Sequence, residues 1–267
     1  MPRVLVFDSG VGGLSVLDRI ATALPQVELL YAVDNGFFPF GTKPEAALIA
    51  RVEHVLTDLA RRFAPDLVVI ACNTASTIAL PTVRAALAVP VVGTVPAIKP
   101  AAETSVTRTI GLLGTPGTVR RKYTQALIDE FAADCTVIRH GSAELVELAE
   151  QKLRGESVDA IAIDDALAGL WRQPGGDRID TVVLACTHFP LLGRELAAHA
   201  PRPLRWIDSG EAIARRVAAM LEGNAVQRTP SRQIHRAVFT ARTPAVEGLR
   251  PALSRRRLDE LEIADGL

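Results

Sequence analysis

Two stretches of this chain follow one scheme: Val68-Val69-Ile70-Ala71-Cys72-Asn73-Thr74 and Val182-Val183-Leu184-Ala185-Cys186-Thr187-His188. Each is an apolar, mostly β-branched run that ends in Ala-Cys and then in small polar residues. Runs without polar alternation read as strands buried on both faces, which confines the chain to parallel sheets covered by helices. A lone buried Cys is ordinarily a small hydrophobe. Two thiols at matched strand ends argue instead for chemistry. A shorter echo pairs Phe7-Asp8-Ser9-Gly10 with Ile207-Asp208-Ser209-Gly210, so the order is DSG, Cys strand, Cys strand, DSG. That order suggests two related lobes facing each other.

The rest of the chain fits the same architecture. Apolar β-type runs at 3–7, 27–33, 67–71, 109–113, 180–185 and 237–240 alternate with Ala- and Leu-rich stretches that predict helices over 12–23, 45–63, 74–88, 117–131, 157–172 and 210–221. The expected fold class is α/β, with two doubly wound parallel-sheet lobes. The Pro-containing stretch 93–102 is the expected first crossing and 206–209 the return. The first lobe is then discontinuous, 1–95 with 208–267, and the second is 96–207.

Bulk properties exclude several function classes. Thirty Lys and Arg balance thirty Asp and Glu, and without concentrated basic charge nucleic acid is not expected as a partner. The one basic run, Arg255-Arg256-Arg257, is followed at once by Asp259, Glu260 and Glu262 and reads as a solvated surface helix. No positively charged leader precedes the first strand, and no apolar run approaches the roughly 18 residues of a membrane span. A cytoplasmic protein without membrane association is expected. The three Cys are an odd number with no Cys-x-x-Cys pair, which fits free thiols in a reducing compartment and no metal site.

In open α/β sheets ligands bind beyond the carboxyl ends of the strands. Asp8-Ser9, Asp34, Cys72-Asn73-Thr74, Gly114-Thr115 and Cys186-Thr187-His188 all stand at such ends. Thiol chemistry runs through the thiolate, which a helix N-terminus favours, and both Cys72 and Cys186 directly precede expected helix starts. Either thiol could serve as nucleophile or general base; Cys135 has no such context. Asp8 and His188 are candidate proton relays. The glycines Gly10, Gly12 and Gly13 match neither the dinucleotide nor the Walker pattern, so their loop is expected to serve a small anion such as a carboxylate. Two opposed thiols suit inversion of a carbon centre, where one face loses a proton and the other gains one. A pyridoxal enzyme would need a Schiff-base lysine, and among the site loops only Lys43 is a candidate. No cofactor is expected.

At these residues the chain closely resembles the glutamate racemases of the aspartate/glutamate racemase superfamily. The resemblance rests on the segments at 6–17, 38–43, 69–77, 91–101, 112–119, 182–192 and 207–214 and thins over 222–267. It implies that the two lobes are related by pseudo-two-fold symmetry with the active site between them, and it implies cofactor-independent interconversion of L- and D-glutamate, supplying D-glutamate for peptidoglycan, in a homodimer. It also implies Cys72 and Cys186 as the proton donor and acceptor pair, assisted by Asp8 and His188, with glutamate held by Asp8, Ser9, Phe40, Gly41, Asn73, Thr74, Thr115, Thr187 and His188. Glu150, in the segment 145–150, matches the Glu that assists the second thiol, although Ser142-Ala143 stands where the family usually has Cys-Pro. Phe40 replaces the usual Tyr, removing one hydroxyl donor but no backbone amide. The alternatives are racemisation of aspartate or another acidic amino acid, and an inactive binding protein on the same fold.

Overall fold

A computed structural model of the chain describes residues 1–222 and 235–267. Residues 223–234, part of the tail over which the resemblance thins, lie outside the described residues. The strands are β1 (Arg3–Asp8), β2 (Glu28–Val33), β3 (Leu67–Ile70), β4 (Val91–Gly93), β5 (Thr109–Gly114), β6 (Thr136–Gly141), β7 (Thr181–Ala185), β8 (Arg205–Ile207), β9 (Arg236–Phe239) and β10 (Glu260–Ile263). The helices are α1 (Leu14–Ala23), α2 (Glu45–Phe63), α3 (Asn73–Ala86), α4 (Ile98–Thr104), α5 (Pro116–Arg120), α6 (Lys122–Phe131), α7 (Glu144–Leu153), α8 (Ala160–Trp171), α9 (Gly193–Ala198), α10 (Gly210–Glu222), α11 (Pro244–Gly248) and α12 (Arg250–Ser254). The chain divides into two compact units. Unit 1 comprises Met1–Thr94, Leu153–Gly155 and Gly210–Leu267; unit 2 comprises Val95–Lys152 and Glu156–Ser209.

Unit 1 holds a six-stranded sheet in the order β10-β9-β2-β1-β3-β4, with every described pairing parallel. Its central strands bury both faces, as their unbroken apolar runs require: Val4, Leu5, Val6 and Phe7 are all fully buried. On one face Leu5, Phe7, Val68 and Ile70 meet Leu48, Val52, Val55, Leu56 and Leu59 of α2 and Ala75, Ala79 and Val83 of α3. The α2 set recurs at i, i+4, i+7, i+8 and i+11, the stripe an amphipathic helix lays on a sheet. Glu45 in its first turn and Arg61 and Arg62 in its last oppose the helix dipole. The tail completes this sheet, since β9 pairs with β2 and β10 with β9.

Unit 2 holds a four-stranded sheet in the order β6-β5-β7-β8, again parallel in every described pairing. Ile110, Leu112, Val183 and Ala185 pack against Ile98 and Ala101 of α4 and Ile128 of α6.

Two expectations are corrected. The helix predicted over 117–131 breaks at Arg121, whose extended backbone (φ −66°, ψ 143°) ends α5 and opens α6. Arg255-Arg256-Arg257 is a turn after α12 and not a helix: Arg257 takes φ +60°, and Arg256 clasps Asp18 through two 2.8 Å bonds.

Candidate active site

Strand order locates the place where ligands bind. In unit 1 the chain leaves β1 for β2 on one side and later enters β3 on the other, so helices depart to opposite faces and leave a crevice beyond the carboxyl ends of β1 and β3. Unit 2 repeats this at β5 and β7. Asp8 ends β1, Cys72 follows β3, Thr115 follows β5 and Cys186 follows β7.

In unit 1, Cys72 is the N-cap residue of α3. The residue stands at the positive end of that helix's dipole, although its side chain makes no capping hydrogen bond to the helix amides. Cys72 is 6% exposed, and its Sγ lies 3.5 Å from Ser9 Oγ. Ser9 N donates to Asp8 Oδ1 at 2.6 Å, its hydroxyl reaches the same oxygen at 3.2 Å, and Gly10 N at 3.4 Å. Amides at the start of the glycine loop thus hold the chain's own Asp8 carboxylate, which is fully buried. A Cβ on Gly13 would stand 2.8 Å from Asp8 Cβ, so this glycine permits the close approach of loop and strand. Tyr31, on β2, donates its hydroxyl to Gly10 O at 2.8 Å. No pattern in the sequence marks Tyr31 for this task, because a tyrosine in an apolar strand looks like any core aromatic.

Around Cys72 the other expected residues divide by role. Asn73 and Thr74 open α3 and are buried; Asn73 Oδ1 has no hydrogen-bond partner among the described residues. Phe40 is 2% exposed, its ring packed against Phe7 and Phe37 at centroid distances of 6.3 and 6.1 Å. Its side chain is a core group. Among the described residues, none beyond its chain neighbours lies within 4 Å of a Cβ built on Gly41. Asp34, although at a strand end, is committed to the fold: Arg51 donates to it twice, at 2.9 and 2.6 Å, and Thr240 once, at 2.7 Å. Lys43 Nζ sits 4.9 Å over the Phe37 ring.

In unit 2, Cys186 is 7% exposed and no α-helix starts beside it. A 3-10 helix, Phe189–Leu192, follows, and α9 begins only at Gly193. Pro190 is the cause. In an α-helix its N–H would bond the Cys186 carbonyl, and proline has none; the turn instead tightens into i to i+3 bonds, Phe189 N to Cys186 O and Leu191 N to His188 O. The helix-dipole argument thus applies to Cys72 and not to Cys186. Cys186 has a different neighbour: His188 Nδ1 lies 3.7 Å from its Sγ, and His188 Nε2 lies 2.9 Å from Glu150 Oε1. Burial by itself would lower the His188 pKa, but the hydrogen bonds with Cys186 and Glu150 and their charges outweigh it and hold the imidazole well above the ordinary histidine range. When protonated, the ring donates from Nε2 to Glu150 and directs Nδ1–H at the sulfur. Ser142, the departure upstream of Glu150, accepts a bond from Leu145 N at 3.2 Å, satisfying an amide at the start of α7. Thr115 caps α5, accepting from Thr118 N at 3.2 Å, and Thr187 is buried beside Cys186.

A sequence model of the Asp/Glu/hydantoin racemase family matches residues 4–217. The chain belongs to this family. As a racemase it is an isomerase, and its relatives narrow the group further. It is 49% identical over 261 residues to the glutamate racemase of Salmonella typhimurium, covering 98% of this chain and 91% of that one. The tail expected to match poorly therefore aligns with a relative beyond the point where the family model stops. The chain is also similar to the crystal structure of Escherichia coli glutamate racemase in complex with L-glutamate and the activator UDP-MurNAc-Ala, at 48% identity and a TM-score of 0.94, covering 100% of this chain and 99% of that one. The Thermus thermophilus glutamate racemase in complex with β-chloro-D-alanine is 30% identical with a TM-score of 0.76, covering 99% and 97%. Among the described residues no helix is long and apolar enough to cross a membrane.

Proposed function

We propose that this racemase interconverts L- and D-glutamate without a cofactor, by two-base proton transfer between Cys72 and Cys186. The observation that carries the reading is the recurrence of a buried thiol just beyond a switch-point strand in each sheet, in a chain whose relatives are glutamate racemases. The lobes 1–95 with 208–267 and 96–207 each supply one thiol. One sulfur, as thiolate, takes the α-proton: the Cα–H bond breaks, an S–H bond forms, and the electron pair passes into the carbanion conjugated with the substrate carboxylate. The other sulfur, as thiol, returns its own proton to the opposite face. The two thiols have then exchanged protonation states.

The surroundings of each sulfur support its part. Asp8 and Ser9 serve Cys72; His188, held by Glu150 at 2.9 Å, serves Cys186 from 3.7 Å. The unpartnered Asn73 Oδ1 suits the substrate ammonium as a donor. Ser9, Thr74, Thr115, Thr187 and the backbone amides of Phe40 and Gly41 supply donors for the two carboxylates, where preorganised dipoles act most strongly on developing charge. The D-glutamate formed serves peptidoglycan synthesis in the cytoplasm, and the enzyme acts as a homodimer.

The test is polarimetric. Purified chain with L-glutamate and nothing added should bring the optical rotation to zero, while L-aspartate should keep its rotation. Loss of rotation with aspartate alone would reassign the substrate, and retention with both would make the protein a binder.

A further inference from the structure

We propose that Lys152 is a positioning residue for the Cys186, His188 and Glu150 chain, pinning the turn that carries His188 to the helix that carries Glu150. The inference rests on the racemase reading and deepens it by assigning a part to a residue outside the reacting groups. Lys152 Nζ donates to Leu191 O at 2.8 Å and to Glu195 Oε2 at 2.7 Å. Both acceptors lie just downstream of His188: Leu191 in the 3-10 turn, Glu195 in the first turn of α9. The carboxyl half of helix α7 therefore holds this segment at two points, through Glu150 at His188 and through Lys152 at Leu191 and Glu195.

The placement of Lys152 follows from the helix. Leu145, Leu148 and Ala149 are buried, and Lys152 continues their row at i+3 and i+4; its stem runs inward while its ammonium reaches the turn. A lysine in the last turn of α7 also suits the negative end of the helix dipole. The pin has a purpose, because Pro190 denies the turn its α-helical bonding and the contact it must present, His188 Nδ1 to Cys186 Sγ, is long at 3.7 Å. A shift of about 1 Å in such a geometry costs roughly 100-fold in rate.

The experiment compares Lys152→Met, Lys152→Arg and Glu195→Gln with the parent enzyme, by racemisation kinetics in both directions and by NMR titration of the His188 imidazole. For Lys152→Met, kcat should fall roughly 10- to 100-fold with KM for glutamate held within about threefold. The His188 midpoint should move downward, because Glu150 and Cys186, the groups that face the ring, lose their alignment with it. Lys152→Arg should restore both. Where Lys152→Met does not fold, Glu195→Gln carries the same comparison, with a smaller fall in kcat and a smaller shift. Unchanged kcat and midpoint would overturn the assignment; so would a fall in kcat with the midpoint unmoved, which marks a purely structural contact. If the parent chain does not racemise glutamate, the functional reading fails while the titration still decides whether Lys152 holds the turn.

Discussion

Asp8 stands where a glycine lets it stand. A methyl on Gly13 would approach Asp8 Cβ to 2.8 Å, Asp8 Oδ2 to 3.0 Å and Tyr31 Cε2 to 3.1 Å, and neither the β1 backbone nor the buried Tyr31 ring can retreat without disturbing the loop whose amides hold Asp8. Gly13→Ala should therefore displace the carboxylate and lower kcat by roughly 100-fold while the folded fraction, read by circular dichroism, remains high. That Asp8, Cys72 and Cys186 stand at strand ends was legible in the sequence, because reactive groups closing apolar runs stand out against their surroundings. Tyr31 was not, since its hydroxyl bond depends on a loop 21 positions away. Phe40 stands out only by its place in a motif; its ring fills the core of unit 1, which leaves its backbone amide, the donor retained when Phe replaces Tyr, for any substrate contact.

Among the elements, the expected strands 3–7, 27–33, 67–71, 109–113, 180–185 and 237–240 all form, and the described strands outside that set, β4, β6, β8 and β10, are the edges of the two sheets. An edge strand has one pairing partner and one open side, so it is short or polar. β4 and β8 have three residues each, β6 has one buried residue, and β10 reads Glu-Leu-Glu-Ile. The pattern that reveals a strand is burial, and edges have little of it. At the amino end of the unit 2 sheet Asp180 does a task of its own. Its carboxylate accepts from Ser105 Oγ at 2.7 Å, Val106 N at 2.7 Å and Thr107 N at 2.8 Å, tying the loop before β5 to the start of β7. Burial works against the charge, but these donors prevail and hold its pKa at about 2, below the ordinary 3.8. A depressed carboxylate stabilises the fold above its ordinary pKa and loses that contribution as pH falls through the folded value. Asp180→Ala should thus cost about 2 kcal/mol at neutral pH. The gap to the parent protein in denaturant titrations should narrow from about pH 4 downward and close near pH 2. Because this end of the sheet is opposite to the thiol, kcat should be unchanged.

For the molecule as a whole, both parallel sheets were legible because their central strands carry the longest apolar runs, and each thiol lies beyond a switch-point strand for the same topological reason. The helix start expected after Cys186 was not borne out, because one missing N–H at Pro190 changes the local bonding. The two sulfurs thus have different neighbours: a helix N-terminus and Ser9, itself bonded to Asp8, for Cys72, and His188, bonded to Glu150, for Cys186. The central claim is that these unlike sulfurs act on opposite faces of one α-carbon. The direct measurement is deuterium uptake at the α-position in D2O, starting separately from L- and D-glutamate, for Cys72→Ser and Cys186→Ser. Each variant should lose uptake by at least roughly 100-fold from one enantiomer, and the two should fail on opposite enantiomers. Full uptake from both enantiomers by either variant, or failure of both on the same one, would contradict the account.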